Sequence, residues 1–109
     1  MKLTEAEAAD LRVGRATAEH QAAQLAFQAA KGKVGAMKSA RRAARRDRRR
    51  HVTGAQHRLD LIARDLPAAV KAKREARQWR REAGWELAAA GRAKADAVTG
   101  MARLPGGHY

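Results

Sequence analysis

The chain has 109 residues, a formal net charge of +13 and a pI near 11.5, which limit it to one small domain and favour an anionic partner such as nucleic acid. It has no cysteine, so disulfides and thiolate metal sites are excluded, and no apolar run approaches the length of a membrane span. Alanine accounts for 28 residues, whereas Leu, Ile, Val and Phe together number 15. This composition predicts an all-α protein of two or three long Ala-rich helices, a hairpin or loose bundle completed by an oligomer or a ligand.

The first predicted helix covers residues 4–30. Thr4 and Glu7 have the spacing of a capping box, and acidic residues in the first turn favour a helix start. The apolar residues that share one stripe at helical spacing are Leu11, Ala18, Ala22, Leu25 and Ala29. Two glycines in the segment 31–35 predict the end of this helix.

The second predicted helix covers residues 36–66. The residues that stay on one face at 100° per residue are Met37, Ala40, Ala44, His51, Ala55, Ile62 and Leu66. Gly54 is the weak point at which this helix could bend or break. Pro67 predicts a boundary or a kink, because proline lacks an amide donor and disfavours a helical residue before it, and Asp65 could cap whatever follows.

The third predicted helix covers residues 68–104. The apolar stripe of this helix consists of Ala72, Ala76, Trp79, Ala83, Leu87, Ala90, Ala97 and Met101. The three helices are expected to form a single domain that spans 1–104, followed by a flexible tail at residues 105–109. Trp79 is expected in the core. Trp85 falls off the stripe, on the side of Arg81, where it could stack on a base, stack on that arginine or anchor a protein interface.

Positive charge is concentrated in one segment. Residues 31–58 contain eleven basic residues and one acidic residue, a net of +10, whereas residues 1–30 have a net charge of −1. Read as a helix, the block 40–51 places its arginines on about 200° of the circumference and its small residues on the remainder. Because a disordered basic tail needs no such partition, the pattern favours an ordered binding surface.

Arginine suits a phosphate ligand better than lysine does, because its planar fork binds two oxygens and is weakly hydrated. The block holds no residue pattern that selects a base sequence, so contacts to phosphates are expected. The candidate nucleic-acid-binding residues are Lys31, Lys33, Lys38, Arg41, Arg42, Arg45, Arg46, Arg48, Arg49, Arg50, Arg58, Arg81 and Trp85.

Catalysis is not expected. The four histidines form no ligand pair at i, i+4 spacing, and Ser39, the only serine, has no nucleophile motif around it. The sequence therefore predicts no enzyme activity, no catalytic residue, no metal site, no cofactor and no small-molecule substrate.

The favoured function is that of a non-enzymatic nucleic-acid-binding protein that coats, condenses or packages DNA or RNA with little sequence specificity, as a virion or nucleoprotein component. Duplex DNA is the favoured ligand, and the sequence does not decide between DNA and RNA. A homo-oligomer or larger assembly is expected, in the cytoplasm or within a virion, neither secreted nor in a membrane. One alternative is a phage structural or assembly subunit, or a small inhibitor that docks on an acidic protein surface. A third hypothesis is a helix-turn-helix transcription regulator. It would need a short helix pair with a tight turn, for which residues 51–66 are only a weak candidate.

Overall fold

The computed structural model describes residues 2–102, and this part of the chain contains two long α-helices and no strand. Helix α1 spans Glu5–Arg49 and helix α2 spans Ala55–Ala102. The all-α class is therefore confirmed, whereas the division into three helices at 4–30, 36–66 and 68–104 is wrong. The tail at 105–109 lies outside the described residues.

Helix α1 begins where the capping pattern predicts. The amide of Glu7 donates to the Thr4 hydroxyl at 3.1 Å, and that hydroxyl donates to the Glu7 carboxylate at 2.9 Å. Glu5 and Glu7 in the first turn also interact favourably with the positive end of the helix dipole.

The predicted helix end at residues 31–35 is wrong, because α1 continues through both glycines. Val34 lies between them and is only 2% exposed. Burying a valine side chain contributes about 1.5–3 kcal/mol, which offsets a cost of about 1 kcal/mol for each glycine in a helix. A β-carbon added at Gly32 or Gly35 would meet no atom within 4 Å, so neither glycine is there to allow a close contact between the helices.

The chain reverses at residues 50–54. The amide of His51 donates to the carbonyl of Arg48 at 3.0 Å, and the amide of Val52 donates to the carbonyl of Asp47 at 2.9 Å, which is the pattern of a Schellman motif. His51 takes the left-handed conformation that this motif needs, with φ of 59°, and Gly54 has φ of 82°. The helix predicted over residues 36–66 is therefore interrupted, since α1 ends at Arg49 and α2 begins at Ala55, directly after the weak point at Gly54.

Replacing His51 with glycine is expected to raise the free energy of unfolding by about 0.5–1 kcal/mol, because a left-handed conformation is strained for a residue with a β-carbon. Urea unfolding of the two proteins measures the difference. Gly54→Ala is the matched opposite change and is expected to destabilise the turn. A His51→Gly protein that is less stable than the parent would show that the imidazole holds the turn.

Pro67 does not end a helix, contrary to the prediction, and lies inside α2. Its ring is exposed, and so is Ala63. The carbonyl of Ala63 has no helical hydrogen-bond donor, because proline four residues later lacks an N–H. Water can therefore satisfy that carbonyl, while Ala69, on the opposite side of the helix from Pro67, is buried. Asp65 caps no helix, and its carboxylate accepts a hydrogen bond from Arg64 at 3.1 Å.

The fold divides into two compact units. Unit 1 joins the start of α1, up to Ala23, to the part of α2 from Trp79 onward. The helices are antiparallel there, because Asp10 pairs with Lys94 at 2.8 Å while Arg12 pairs with Glu86 at 2.8 Å. Hydrogen bonds from Arg12 lower the pKa of Glu86, so this pair stabilises the fold at neutral pH and is lost as the pH falls through that lowered pKa.

The core of unit 1 is built mainly from alanine at seven-residue spacing. Its buried residues are Ala9, Ala16 and Ala23 of α1 with Ala83 and Ala90 of α2. The predicted α2 stripe is confirmed at the two latter positions. The predicted α1 stripe is not the buried one, because Leu11 and Leu25 are exposed and the buried row lies on another side of the helix.

Unit 2 covers residues 24–78 and contains the turn. Its buried residues are Phe27, Val34 and Ala44 of α1 with Ala55, Leu59 and Ala69 of α2. Of the face predicted for residues 36–66, Ala44 and Ala55 are buried, whereas Ala40 and His51 are exposed.

Candidate nucleic-acid interface

Six of the seven arginines of the block 40–51 lie in the last turns of α1, and Arg50 follows directly after it, all in unit 2. Four of them share one side of the helix at i, i+3, i+4 and i+7 spacing, and all four are exposed: Arg42, Arg45, Arg46 and Arg49. At 1.5 Å per residue this arginine row is about 10 Å long. Together with Ser39, the row lines a surface concavity of about 490 Å³.

No acidic side chain in the described part of the chain pairs with the arginine row. Arg42 donates to the Ser39 hydroxyl at 3.1 Å, which orders one guanidinium without neutralising it. Asp47 is the only acidic residue within the block, and its carboxylate accepts a hydrogen bond from Arg58 at 2.8 Å. The row therefore keeps its full positive charge.

Two other candidate residues hold the turn together. Arg48 donates to the Gln56 side-chain oxygen at 3.2 Å, and the Gln56 amide donates to Asp60 at 2.8 Å. Arg58 is tied to Asp47 in the same region. Arg48 and Arg58 thus bridge α1 and α2 around the turn, which leaves them less free than the arginine row to follow a ligand.

Arg41 differs from the other arginines of the block because it is half-buried. Its Nε atom is buried and has no hydrogen-bond partner among the described residues. Arg50 begins the turn and is exposed. The structure therefore separates the seven predicted arginines into an exposed row of four, one bridging residue, one half-buried residue and one turn residue.

The three predicted lysines are all exposed but lie in different surroundings. Lys38 is four residues before Arg42 and extends the arginine row, and Lys31 is one heptad before Lys38. Lys33 lines a different groove together with Arg64 and Asp65, so its surroundings include a carboxylate.

Arg81 and Trp85 belong to unit 1, and both are exposed. Trp85 is 62% exposed, as its position off the apolar stripe predicts. Trp79 is half-buried, and its indole N–H donates to Glu19 at 2.6 Å. The two tryptophans therefore have different environments, and Trp85 offers a free aromatic face beside an arginine one turn away.

Ser39 and Gln56 are polar residues of this region that the candidate set omits. The sequence spacing could have identified Ser39, because it lies three residues before Arg42, one helical turn away. Gln56 follows the turn at residues 50–54, and its side-chain oxygen accepts the hydrogen bond from Arg48. The arginine row offers planar guanidinium groups that can bind phosphate oxygens in pairs. It offers no side chain arranged to read base edges.

Other kinds of site are not found in the part of the chain that the structure describes. It contains no group of three His, Asp or Glu residues that could hold a metal ion. Neither α1 nor α2, as far as it is described, has an apolar stretch long enough to cross a membrane. No protein family, curated protein or solved structure matches this chain.

Proposed function

We propose that this chain is a non-enzymatic nucleic-acid-binding protein that coats, condenses or packages DNA or RNA with little sequence specificity. The observation that carries the proposal is the exposed arginine row, which has no acidic partner among residues 2–102 and lies in a segment of net charge +10. Duplex DNA is the favoured ligand, within a virion or another nucleoprotein.

The physical basis is the release of counterions from a polyanion. Duplex DNA carries one negative charge per roughly 1.7 Å of axis, and every phosphate that a cation neutralises releases condensed counterions. A row of about 10 Å spans several such charges. Because guanidinium contacts to phosphate carry no sequence information, binding of this kind is expected to be tolerant of sequence.

The protein is proposed to work as an oligomer. Its buried residues are mostly alanine, which removes little apolar area from water at about 25 cal/mol per Å². Several large apolar side chains remain exposed on the monomer, including Leu11, Leu25 and Trp85. A coat or packaging protein gains affinity for a polymer when neighbouring copies bind side by side.

Binding of a 20-base-pair duplex at several salt concentrations tests the proposal. We expect log K to fall linearly with log salt, with a slope near −5 to −7 for six to eight neutralised phosphates. Duplexes of unrelated sequence should give the same line within about threefold. A slope near zero, or binding only to an acidic protein, would instead support the alternative of a protein-docking subunit.

A further inference from the structure

Two glycines in the middle of α1 have no structural role within the described part of the chain. Glycine is the least favourable residue in a helix apart from proline, yet α1 continues through Gly32 and Gly35. Neither glycine has a positive φ, whereas Gly54 in the turn does. A β-carbon added at either position would meet no atom within 4 Å, so neither lets α2 approach α1. The two glycines therefore serve no turn, helix end or helix contact.

Both glycines are exposed on the side of α1 that carries the arginine row. Gly35 lies seven residues, or two helical turns, before Arg42. Gly32 lies seven residues before Ser39, whose hydroxyl accepts a hydrogen bond from Arg42. Bare helix backbone is thus exposed directly before the arginine row, on the same side of the helix and within unit 2.

Two lysines continue the positive charge of the row past the glycines. Lys31 and Lys38 are exposed and lie seven residues apart, and Arg45 is the next residue at that spacing. This surface, here called the basic face, is about 27 Å long at 1.5 Å per residue and holds six basic residues and no acidic one. Its members are Lys31, Gly32, Gly35, Lys38, Ser39, Arg42, Arg45, Arg46 and Arg49.

No carboxylate of unit 2 forms an ion pair with the basic face. Unit 2 contains four acidic residues, and three of them bind side chains outside the face. These partners are Arg58 for Asp47, Gln56 for Asp60 and Arg64 for Asp65. The fourth, Glu75 of α2, forms no ion pair among the described residues. The charge of the face is therefore complementary to a polyanion along its whole length.

We infer that the nucleic-acid contact of this chain begins at Lys31, and that Gly32 and Gly35 are the positions at which the sugar–phosphate backbone of a duplex lies against the helix. The inference rests on the proposed function and adds where the ligand comes closest to the protein. A position without a β-carbon lets a ligand approach the protein backbone. This approach brings phosphates nearer to the ammonium groups of Lys31 and Lys38, and attraction between opposite charges rises as their distance falls.

Leucine at both glycine positions tests the inference, because it fills the gap without changing the charge. Gly32→Leu/Gly35→Leu is expected to bind a 20-base-pair duplex about tenfold more weakly than the parent, as when a side chain is inserted into a packed contact. The same variant is expected to melt at least about 4 °C higher, since leucine is a much better helix former and both positions are exposed. Weaker binding by a more stable protein distinguishes a blocked surface from a damaged fold.

The matched control is Gly14→Leu/Gly91→Leu. Both positions are exposed helix glycines at which an added β-carbon meets no atom within 4 Å, and both lie in unit 1, outside the basic face. We expect the control to melt at a higher temperature than the parent and to bind the duplex as tightly. If the control and Gly32→Leu/Gly35→Leu lose the same affinity, the effect comes from helix stiffness, and the inference is overturned.

Lys31→Gln/Lys38→Gln measures how far the contact extends along α1. The magnitude of the slope of log K against log salt is expected to fall by about two, at about 0.9 for each lost phosphate contact. An unchanged slope would end the contact at the arginine row and overturn the inference.

The outcomes also separate this inference from the proposed function. A parent protein that does not bind the duplex removes the proposed function and this inference with it. If the parent binds and loss of the arginine row weakens binding, but Gly32→Leu/Gly35→Leu binds as tightly as the parent, the proposed function stands and the inference is overturned.

Discussion

Replacing Arg42, Arg45, Arg46 and Arg49 with glutamine is expected to abolish tight binding to duplex DNA. Each lost phosphate contact lowers the slope of log K against log salt by about 0.9, so removal of the whole row should reduce its magnitude by about three to four. The fold should remain intact, because these side chains are exposed and none of them joins α1 to α2. Fluorescence anisotropy with a labelled duplex across a salt series measures both the affinity and the slope.

The matched control removes the same number of positive charges from exposed positions of α2. In it, glutamine replaces Arg64, Lys71, Arg74 and Arg92. Both variants lower the net charge by four, so a general effect of charge would weaken binding equally. We expect the control to keep most of the salt slope, because its charges are dispersed among acidic residues. Equal losses in the two variants would show that the arginine row has no special role.

The helical class and the segregation of charge could be predicted from the sequence because they depend on local quantities. Alanine content, the capping box at Thr4 and the concentration of arginine at residues 41–50 each act within a few residues. Gly54 could be identified as the weak point of the predicted helix for the same reason, whereas the end of α1 at Arg49 could not. The boundaries at Gly35 and Pro67 were wrong because packing of α1 on α2 outweighs penalties of a few kcal/mol at single positions.

The choice of buried face on α1 could not be made from the sequence. The helix has two rows at helical spacing: one contains Leu11 and Leu25, and the other continues from Ala9, Ala16 and Ala23 to Phe27 and Val34. The structure buries the second row, which in unit 1 consists of small side chains that fit against the seven-residue spacing of α2. Both rows are apolar at helical spacing, so the fit to the partner helix decides which one is buried.

The arginines of the candidate site were predictable, but their pairing was not. Composition and periodicity single out the block, in which Asp47 is the one acidic residue. The Schellman turn brings Arg58 to Asp47, eleven residues along the chain, and thereby leaves the arginine row unneutralised. That contact depends on the left-handed conformation of His51, which propensity alone does not predict for histidine.

The two tryptophans of α2 should respond very differently to the same substitution. Trp79 is half-buried and donates a hydrogen bond to Glu19, so Trp79→Ala is expected to cost about 2–3 kcal/mol, less than for a fully buried ring. For a domain of this size that corresponds to a fall of roughly 10–20 °C in melting temperature. Trp85 is 62% exposed, so Trp85→Ala should change the melting temperature by less than about 2 °C.

Calorimetry of both variants and of Trp79→Phe separates ring burial from the hydrogen bond, since phenylalanine keeps most of the apolar area and loses the N–H donor. We expect Trp79→Phe to fall between the parent and Trp79→Ala. Trp85→Ala is expected to lose affinity for single-stranded DNA by about 1–3 kcal/mol, the contribution of one stacked base, because its indole is open beside Arg81. If Trp85→Ala destabilises the protein as much as Trp79→Ala does, a second contact covers that side of α2 in solution, and the assignment of Trp85 to a nucleic-acid surface is wrong.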